Sequence, residues 1–165
     1  MMAGLGSFFS DGTLGYYLDR NGKTQERTWI DHGKFMIDAK QQAFLTQATL
    51  DLSKAKVAVL IGQGTGSSGE ALAIHFSQRT STALFGQRTA GLANSTDGFV
   101  FSNNQAYFLL SVARLGDKHK NILPEQVSPD YRIVPNDHFS DLNSDAVTSQ
   151  ARAWLSKPVH HKNNK

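Results

Sequence analysis

The stretch VAVLIGQGTGSSGEALAIHF, residues 57–76, constrains this chain more than any other. KVAVLIG is a continuous apolar, β-branched run closed by glycine, which predicts a strand buried on both faces. From Glu70, EALAIHFSQR sets Ala71, Ile74 and His75 near one face of a short amphipathic helix. Between strand and helix lies the loop GQGTGSSG. Such a loop can cradle a phosphate or present a serine, and the two uses need different residues.

A phosphate loop has some support, because Gly64-Thr65-Gly66-Ser67-Ser68-Gly69 spells G-x-G-x-x-G between a strand and a helix. The first glycine of that fingerprint closely follows its strand, however. This selects Gly62-Gln63-Gly64 and leaves Ser67 where the third glycine belongs. The acidic residue expected after the next strand is missing, since TALFG runs into Gln87 and Arg88. An NADP-binding domain is kept only as an alternative. No G-K-[ST] follows the loop, so a Walker site is excluded.

A nucleophilic serine needs a sharp turn where glycines allow unusual backbone angles and a helix N-terminus faces the developing negative charge. Ser67 and Ser68 stand at such a turn, and Gly66 lets a substrate backbone approach closely. The same residues also suit a structural part, with Ser67 capping the helix and Glu70 completing a capping box. Local pattern leaves both open.

The rest of the chain alternates strands and helices without an internal repeat. TLGYYLD and ERTWIDHG flank RNGKTQ, whose Asn21-Gly22 pair signals a hairpin. AKQQAFLTQATLDLSKAK reads as a loop or short helix, TALFG as a strand, and QRTAGLANSTDG as turn-rich. GFVFSNNQAYFLLSVARL is a second hairpin around residues 102–104, and Asp130 to Val134 a short strand. SDAVTSQARAWLSK is a helix with Ser144 and Asp145 as N-cap candidates and Pro158 beyond its end. The sum is an α/β domain with a buried central β-sheet, flanking helices and β-hairpins. We expect a single domain over residues 1–157 and a disordered basic tail over 158–165.

Composition narrows the function classes. With 165 residues the chain is about one domain long, and 39% hydrophobic with 19% charged residues is a globular balance. Basic residues exceed acidic ones by 17 to 14, and part of the excess lies in KPVHHKNNK, so nucleic acid is not indicated as a partner. There is no cysteine, hence no thiolate nucleophile or thiolate metal site. MMAGLGSFFSDGTLGYYLD has no basic n-region or sustained apolar run, and nothing approaches the roughly 20 apolar residues of a membrane span. As written the chain is soluble, and its compartment stays open.

Taken in order, VAVLIGQGTGSSGEALAIHF, TALFGQRTAGLA, GFVFSNNQAYFLLSVARL, PEQVSPDYRIVP and a closing helix ending in AWL resemble the core of the C-terminal processing peptidases. These are also called tail-specific proteases, and the tricorn core protease is among them. The resemblance spans roughly Met1 to Leu155 and implies a ClpP/crotonase-like core, a serine peptidase, a peptide or protein substrate and no cofactor or metal. It makes Ser67, three residues before Glu70, the nucleophile, and gives the N–H of Ser68 the place of an oxyanion donor. Ser68 is the fallback nucleophile if the register differs by one. A homo-oligomer is left open, as is a secreted or envelope-associated location for a longer protein.

Departures from the family pattern are informative. Where the processing branch carries a lysine base, this chain has Leu92, in Phe85-Gly86-Gln87-Arg88-Thr89-Ala90-Gly91-Leu92. Arg88 stays protonated and suits a carboxylate clamp on substrate better than a base. The tricorn-like branch uses an upstream histidine and a later acid. Glu125 stands near the acid's place as an orienting residue, whereas His32 reads as a surface hairpin residue and His75 as a packed one. His119 and His138 fall in polar loops, and His160 and His161 in the tail. The family's strand ending in Gly-Gly, with its second oxyanion donor, would precede MAGLGSFF, so a fragment of a longer protease or a reduced relative is expected. A non-catalytic peptide- or ligand-binding relative is the alternative function.

Overall fold

Two sheets divide the strands where the sequence suggested one central sheet. The computed structural model describes residues 2–42, 50–134, 136, 141 and 143–158. His138, His160, His161, the tail from 159 onward and residues 43–49 of the expected loop or short helix lie outside the described residues.

The larger sheet is antiparallel and grows from local hairpins. A 3-10 helix, Met2–Phe8, leads into β1 (Gly12–Leu18), β2 (Thr24–Asp31), β3 (Lys34–Ile37) and β4 (Lys40–Gln41). The β1–β2 turn is closed by Asp19, whose Oδ1 accepts the N–H groups of Asn21 (2.8 Å) and Lys23 (2.9 Å). Later in the chain, β7 (Ser95–Phe101) and β8 (Ala106–Gly116) form the second expected hairpin, with β7 starting inside the run read as turn-rich. The six strands lie in the order β4-β3-β2-β1-β8-β7. Alternation in sequence identifies a strand but not its sheet, and here each hairpin strand finds its nearest partner locally.

The smaller sheet is parallel, in the order β5-β6-β9, from β5 (Val57–Ile61), β6 (Thr82–Gly86) and β9 (Tyr131–Arg132). Helix α1 (Ser68–Ser77) makes the crossover between β5 and β6, pairing Val57 with Thr82 through Ile61 with Gly86. Burial on both faces holds for β6, the middle strand, whose residues Ala83–Gly86 are all buried. It does not hold for β5. That strand is outermost, and its Leu60 is 48% exposed.

Helix α1 contributes to two apolar clusters, which is why its apolar residues show no clean stripe. Ala73 and Ile74 join Ile61, Leu84, Leu115 and Val127, while Phe76 joins Phe9, Ile30 and Phe35. The Phe76 ring centroid lies 4.8 Å from that of Phe9, and burial of each such ring contributes about 1.5–3 kcal/mol. Helix α2 (Ala146–Leu155) covers the other face of the parallel sheet through Val147 and Ala151 against Ala83 and Phe85. Of the two cap candidates Asp145 serves, accepting the Thr148 N–H at 2.6 Å, while the Ser144 hydroxyl donates to Asp141.

Two buried polar residues on α1 matter for the loops around it. The Glu70 side chain is fully buried and accepts from the N–H groups of Ser67 (3.1 Å), Gly91 (2.7 Å) and Leu92 (2.6 Å) and from the Thr89 hydroxyl. Burial raises its pKa, but those four donors outweigh burial and hold it below the ordinary carboxylate value. His75 is 3% exposed, its Nδ1 has no hydrogen-bond partner, and burial lowers its pKa to about 4.

Acid should therefore destabilise this chain through both groups. Both folded pKa values lie below the unfolded ones, so each group stabilises the fold above its unfolded pKa and loses that contribution as pH falls towards the folded value. For His75 the window runs from 6.5 down to about 4, worth about 3 kcal/mol, and His75→Leu should flatten the urea-measured stability across it. Glu70 acts below its ordinary value near 4.5. Glu70→Gln leaves buried donors mismatched and should cost about 2–4 kcal/mol at pH 7 in urea denaturation.

Candidate active site

After Ile61 the chain must turn from β5 into α1 within six residues, and short hydrogen bonds fix how it does so. The Thr65 N–H donates to the Gly62 carbonyl at 2.8 Å, and the Gly62 N–H donates to Thr65 Oγ1 at 3.1 Å. Across the gap, the Gln87 N–H donates to the Ile61 carbonyl (3.0 Å) and the Ala90 N–H to the Thr65 carbonyl (2.9 Å). This stitching needs Gly86, which has φ +120° and would place a Cβ 2.1 Å from the Ile61 oxygen. The loops after β5 and after β6 thus become one surface.

Ser67 sits at the head of α1 with φ 52° and ψ −122°, a pairing outside the regions ordinarily open to a residue with a Cβ. Such a conformation costs about 1–3 kcal/mol and persists only where surrounding bonds impose it. Here they do. The Ser67 carbonyl accepts from Glu70 N–H (2.9 Å) and Ala71 N–H (3.0 Å), and its own N–H is held by the Glu70 carboxylate. The hydroxyl lies toward the Glu70 N–H in the manner of a capping box, but no cap hydrogen bond of standard geometry holds it. Both Ser67 and Ser68 are exposed. As the first residue of α1, Ser68 carries one of the N–H groups that has no carbonyl partner inside the helix.

Leu92 meets this loop directly. A Cβ on Gly66 would lie 3.6 Å from Leu92 Cδ1 and 3.6 Å from Ala90 Cβ, while the Leu92 side chain is 63% exposed. Hydrocarbon therefore stands beside Ser67's neighbour, where a base would be useful. Arg88 and Glu125 are brought together elsewhere. They line a cleft of about 850 Å³ with Arg114, Ser128 and Asp130, and none of Gly66, Ser67 and Ser68 lines it. Arg88 Nε donates to Ser128 Oγ at 3.2 Å, and Glu125 faces Arg114 at 3.8 Å.

The described histidines stand apart from the serine loop. His75 is buried and neutral in the second half of α1, and Gly15 of β1 approaches its ring. His32 is exposed in the β2–β3 turn and paired with Asp31 at 2.7 Å, as its hairpin place suggested. His119 is exposed in the loop after β8. A phosphate in the serine loop would meet the Glu70 carboxylate, which already occupies the Ser67 N–H, so the dinucleotide alternative loses support.

Thr89 escaped sequence reasoning. Its hydroxyl donates to Glu70 and accepts from Val127 N–H at 2.8 Å, tying the segment before β9 to the serine loop. Glu70 was legible only as a capping residue; the S-x-x-E spacing carries no sign that the carboxylate also grips residues 89–92.

Comparison with known proteins agrees with this architecture. The chain is 28% identical over 159 residues to the nisin-resistance protein of Lactococcus lactis subsp. lactis, covering 96% of this chain and 46% of that protein. Among solved structures, a lipoprotein from Streptococcus agalactiae superposes with a TM-score of 0.66 at 20% identity, over 94% of this chain and 48% of its own. The photosystem II D1 C-terminal processing protease superposes with a TM-score of 0.61 at 20% identity, over 86% of this chain and 32% of its own. The chain thus spans about half the length of the nisin-resistance protein and of the lipoprotein. The profile of peptidase family S41 matches residues 1–133, and the chain belongs to that family.

Proposed function

We propose that this chain is a serine-type peptidase domain with Ser67 as its nucleophile. The observation that carries this reading is the strained backbone of Ser67, at φ 52° and ψ −122°, on the N-terminal turn of α1. The reading is supported by the exposed position of Ser67 at a sharp strand-to-helix turn, and it makes the Ser68 N–H the oxyanion donor. Ser67 Oγ adds to the carbonyl carbon of a peptide bond, and its proton passes through water to the leaving nitrogen as the C–N bond breaks. Water then hydrolyses the acyl ester on Ser67. Gly66 leaves room for the substrate backbone, whereas Arg88, the clamp expected from sequence, lines the separate cleft and donates to Ser128, so it is not assigned to the Ser67 site. The β5–α1–β6 crossover with its serine loop supports a ClpP/crotonase-like core, and residues 1–157 read as one domain.

Among the described residues no side-chain base stands beside Ser67, and Leu92 occupies the family's lysine position. A missing base typically costs about 10²- to 10⁴-fold in rate, so the domain as it stands is a slow enzyme. Leu92 also favours a second reading, a binding domain that keeps the groove without turnover. In that case Glu125 is a surface partner of Arg114 rather than an orienting acid. No helix among the described residues is long and apolar enough to cross a membrane.

A fluorophosphonate probe separates the two. Mass spectrometry of the tryptic digest should find the adduct on Ser67, and Ser67→Ala should abolish it. Folded protein that stays unlabelled at both Ser67 and Ser68 would refute the peptidase reading. Leu92→Lys supplies an amine next to the serine loop, and we expect it to raise the labelling rate by about 10²-fold, with a rise in rate towards alkaline pH as the amine deprotonates. An unchanged rate would show that position 92 does not reach the Ser67 hydroxyl.

A further inference from the structure

The β7–β8 hairpin runs out beyond the sheet that carries it. β8 pairs with β1 only through Arg114–Gly116, so over Ala106–Ala113 its one partner among the described residues is β7. Among the described residues β7 is itself the outermost strand. Opposed residues share a face. Phe99 and Phe108 lie on one, with Phe101 stacked on Phe108 at 4.9 Å, and Val100 and Tyr107 lie on the other. Every large apolar side chain from Phe99 to Leu110 is between 45% and 63% exposed, and no charged residue occurs from Gly98 to Ala113. A free two-stranded ribbon of this kind is marginal in water, and its open edge is a template for another strand.

The occupant must satisfy both the apolar faces and the open edges. Lipid would cover the faces but leave the edge N–H and C=O groups unpaired in hydrocarbon. A polypeptide strand meets both needs. Its position decides which polypeptide, because β7 begins three residues after Leu92, the side chain that contacts the Gly66 position. A chain laid along β7 therefore runs into the Ser67 loop.

We propose that the outer edge of β7 docks an extended substrate segment as an added strand, apolar at successive rather than alternate positions, and leads it to Ser67. The proposal rests on the peptidase reading of Ser67. The Gly98 N–H donates to its neighbour Asp97 at 2.7 Å, which marks it as an outward donor rather than a rung to β8. Alternation puts the Val100 N–H on the same edge. Asp97 thus guards the edge against indiscriminate pairing, and an incoming strand displaces it.

The test uses Ser67→Ala protein and fluorescence anisotropy with a fluorescein-labelled peptide whose Val-Leu-Val-Ala-Val centre is flanked by Ser-Asn-Ser ends. Val100→Pro removes an outward donor and should weaken binding about three- to tenfold; Asp97→Ala frees the Gly98 N–H and should tighten it about two- to fivefold. If Val100→Pro fails to fold, the opposite-signed effect of Asp97→Ala still decides. Absence of peptide binding, or affinity unmoved or lowered by Asp97→Ala, overturns the proposal. A concentration-dependent dimer without peptide binding overturns it in favour of a second copy. Binding only to phosphatidylglycerol vesicles overturns it in favour of lipid. Fluorophosphonate labelling of the wild type is scored separately. Labelled protein with unmoved affinities refutes the docking alone, and unlabelled protein with the expected affinities refutes Ser67 as nucleophile alone.

Discussion

One buried carboxylate organises the loops on which everything else depends. Glu70 takes a hydrogen bond from Ser67 on its own helix and three more from Thr89, Gly91 and Leu92 on the segment after β6. Hydrogen bonds to a charged group contribute about 1.5–3 kcal/mol each, against about 1–3 kcal/mol for the strained backbone at Ser67. The clamp wins with a margin. Ser67 can therefore stand in its unusual conformation without a substrate to hold it there, and the loop that ends at Leu92 is fixed against it by the same atoms.

The clamp is also the part of the site that the sequence showed least. The spacing of Ser67 and Glu70 identified a capping box, because capping is a contact within one helical turn. The reach of the carboxylate to Thr89 and Gly91 joins residues about twenty apart, and only the parallel pairing of β5 with β6 brings them together. Hairpins, β6 and α2 were legible because their signals are local: Asn21-Gly22, a short apolar run, an Asp145 cap. The division into two sheets was not. Nor was the exposure of Leu60, since an apolar run reads the same in an outer strand as in a middle one. Phe76 shows the same limit on α1, since it joins a different apolar cluster from Ala73 and Ile74 and so hides the helical period, whereas His75 is packed as the sequence suggested.

Electrostatics around Ser67 are lopsided. The helix N-terminus and the Ser68 N–H favour negative charge beside Ser67, where the proposed oxyanion would form, while the buried Glu70 keeps its charge and directs it at four donors. Among the described residues, proton transfer has no such support beside Ser67. The exposed Leu92 side chain occupies that side of the loop, and Arg88 and Glu125 belong to a separate cleft. On the proposed reading, the arrangement stabilises a tetrahedral centre better than it creates one.

That imbalance bears on why the β7–β8 ribbon stays apolar. On the proposed reading, a site with no side-chain base among its described residues gains most from holding its substrate long and in register, because positioning lowers the barrier even where proton transfer does not. The proposed docking edge, which starts three residues after Leu92, offers such positioning through backbone bonds, and apolar faces on either side add affinity without demanding a particular residue. Exposing those faces carries a risk of association, which Asp97 on the edge and the uncharged polar tip Ser102–Gln105 limit without closing the edge. If Ser67 is the nucleophile and β7 the docking edge, as proposed, the ribbon and the clamp are complementary: Glu70 fixes the backbone of Ser67, and β7 sets where a carbonyl is brought to meet it.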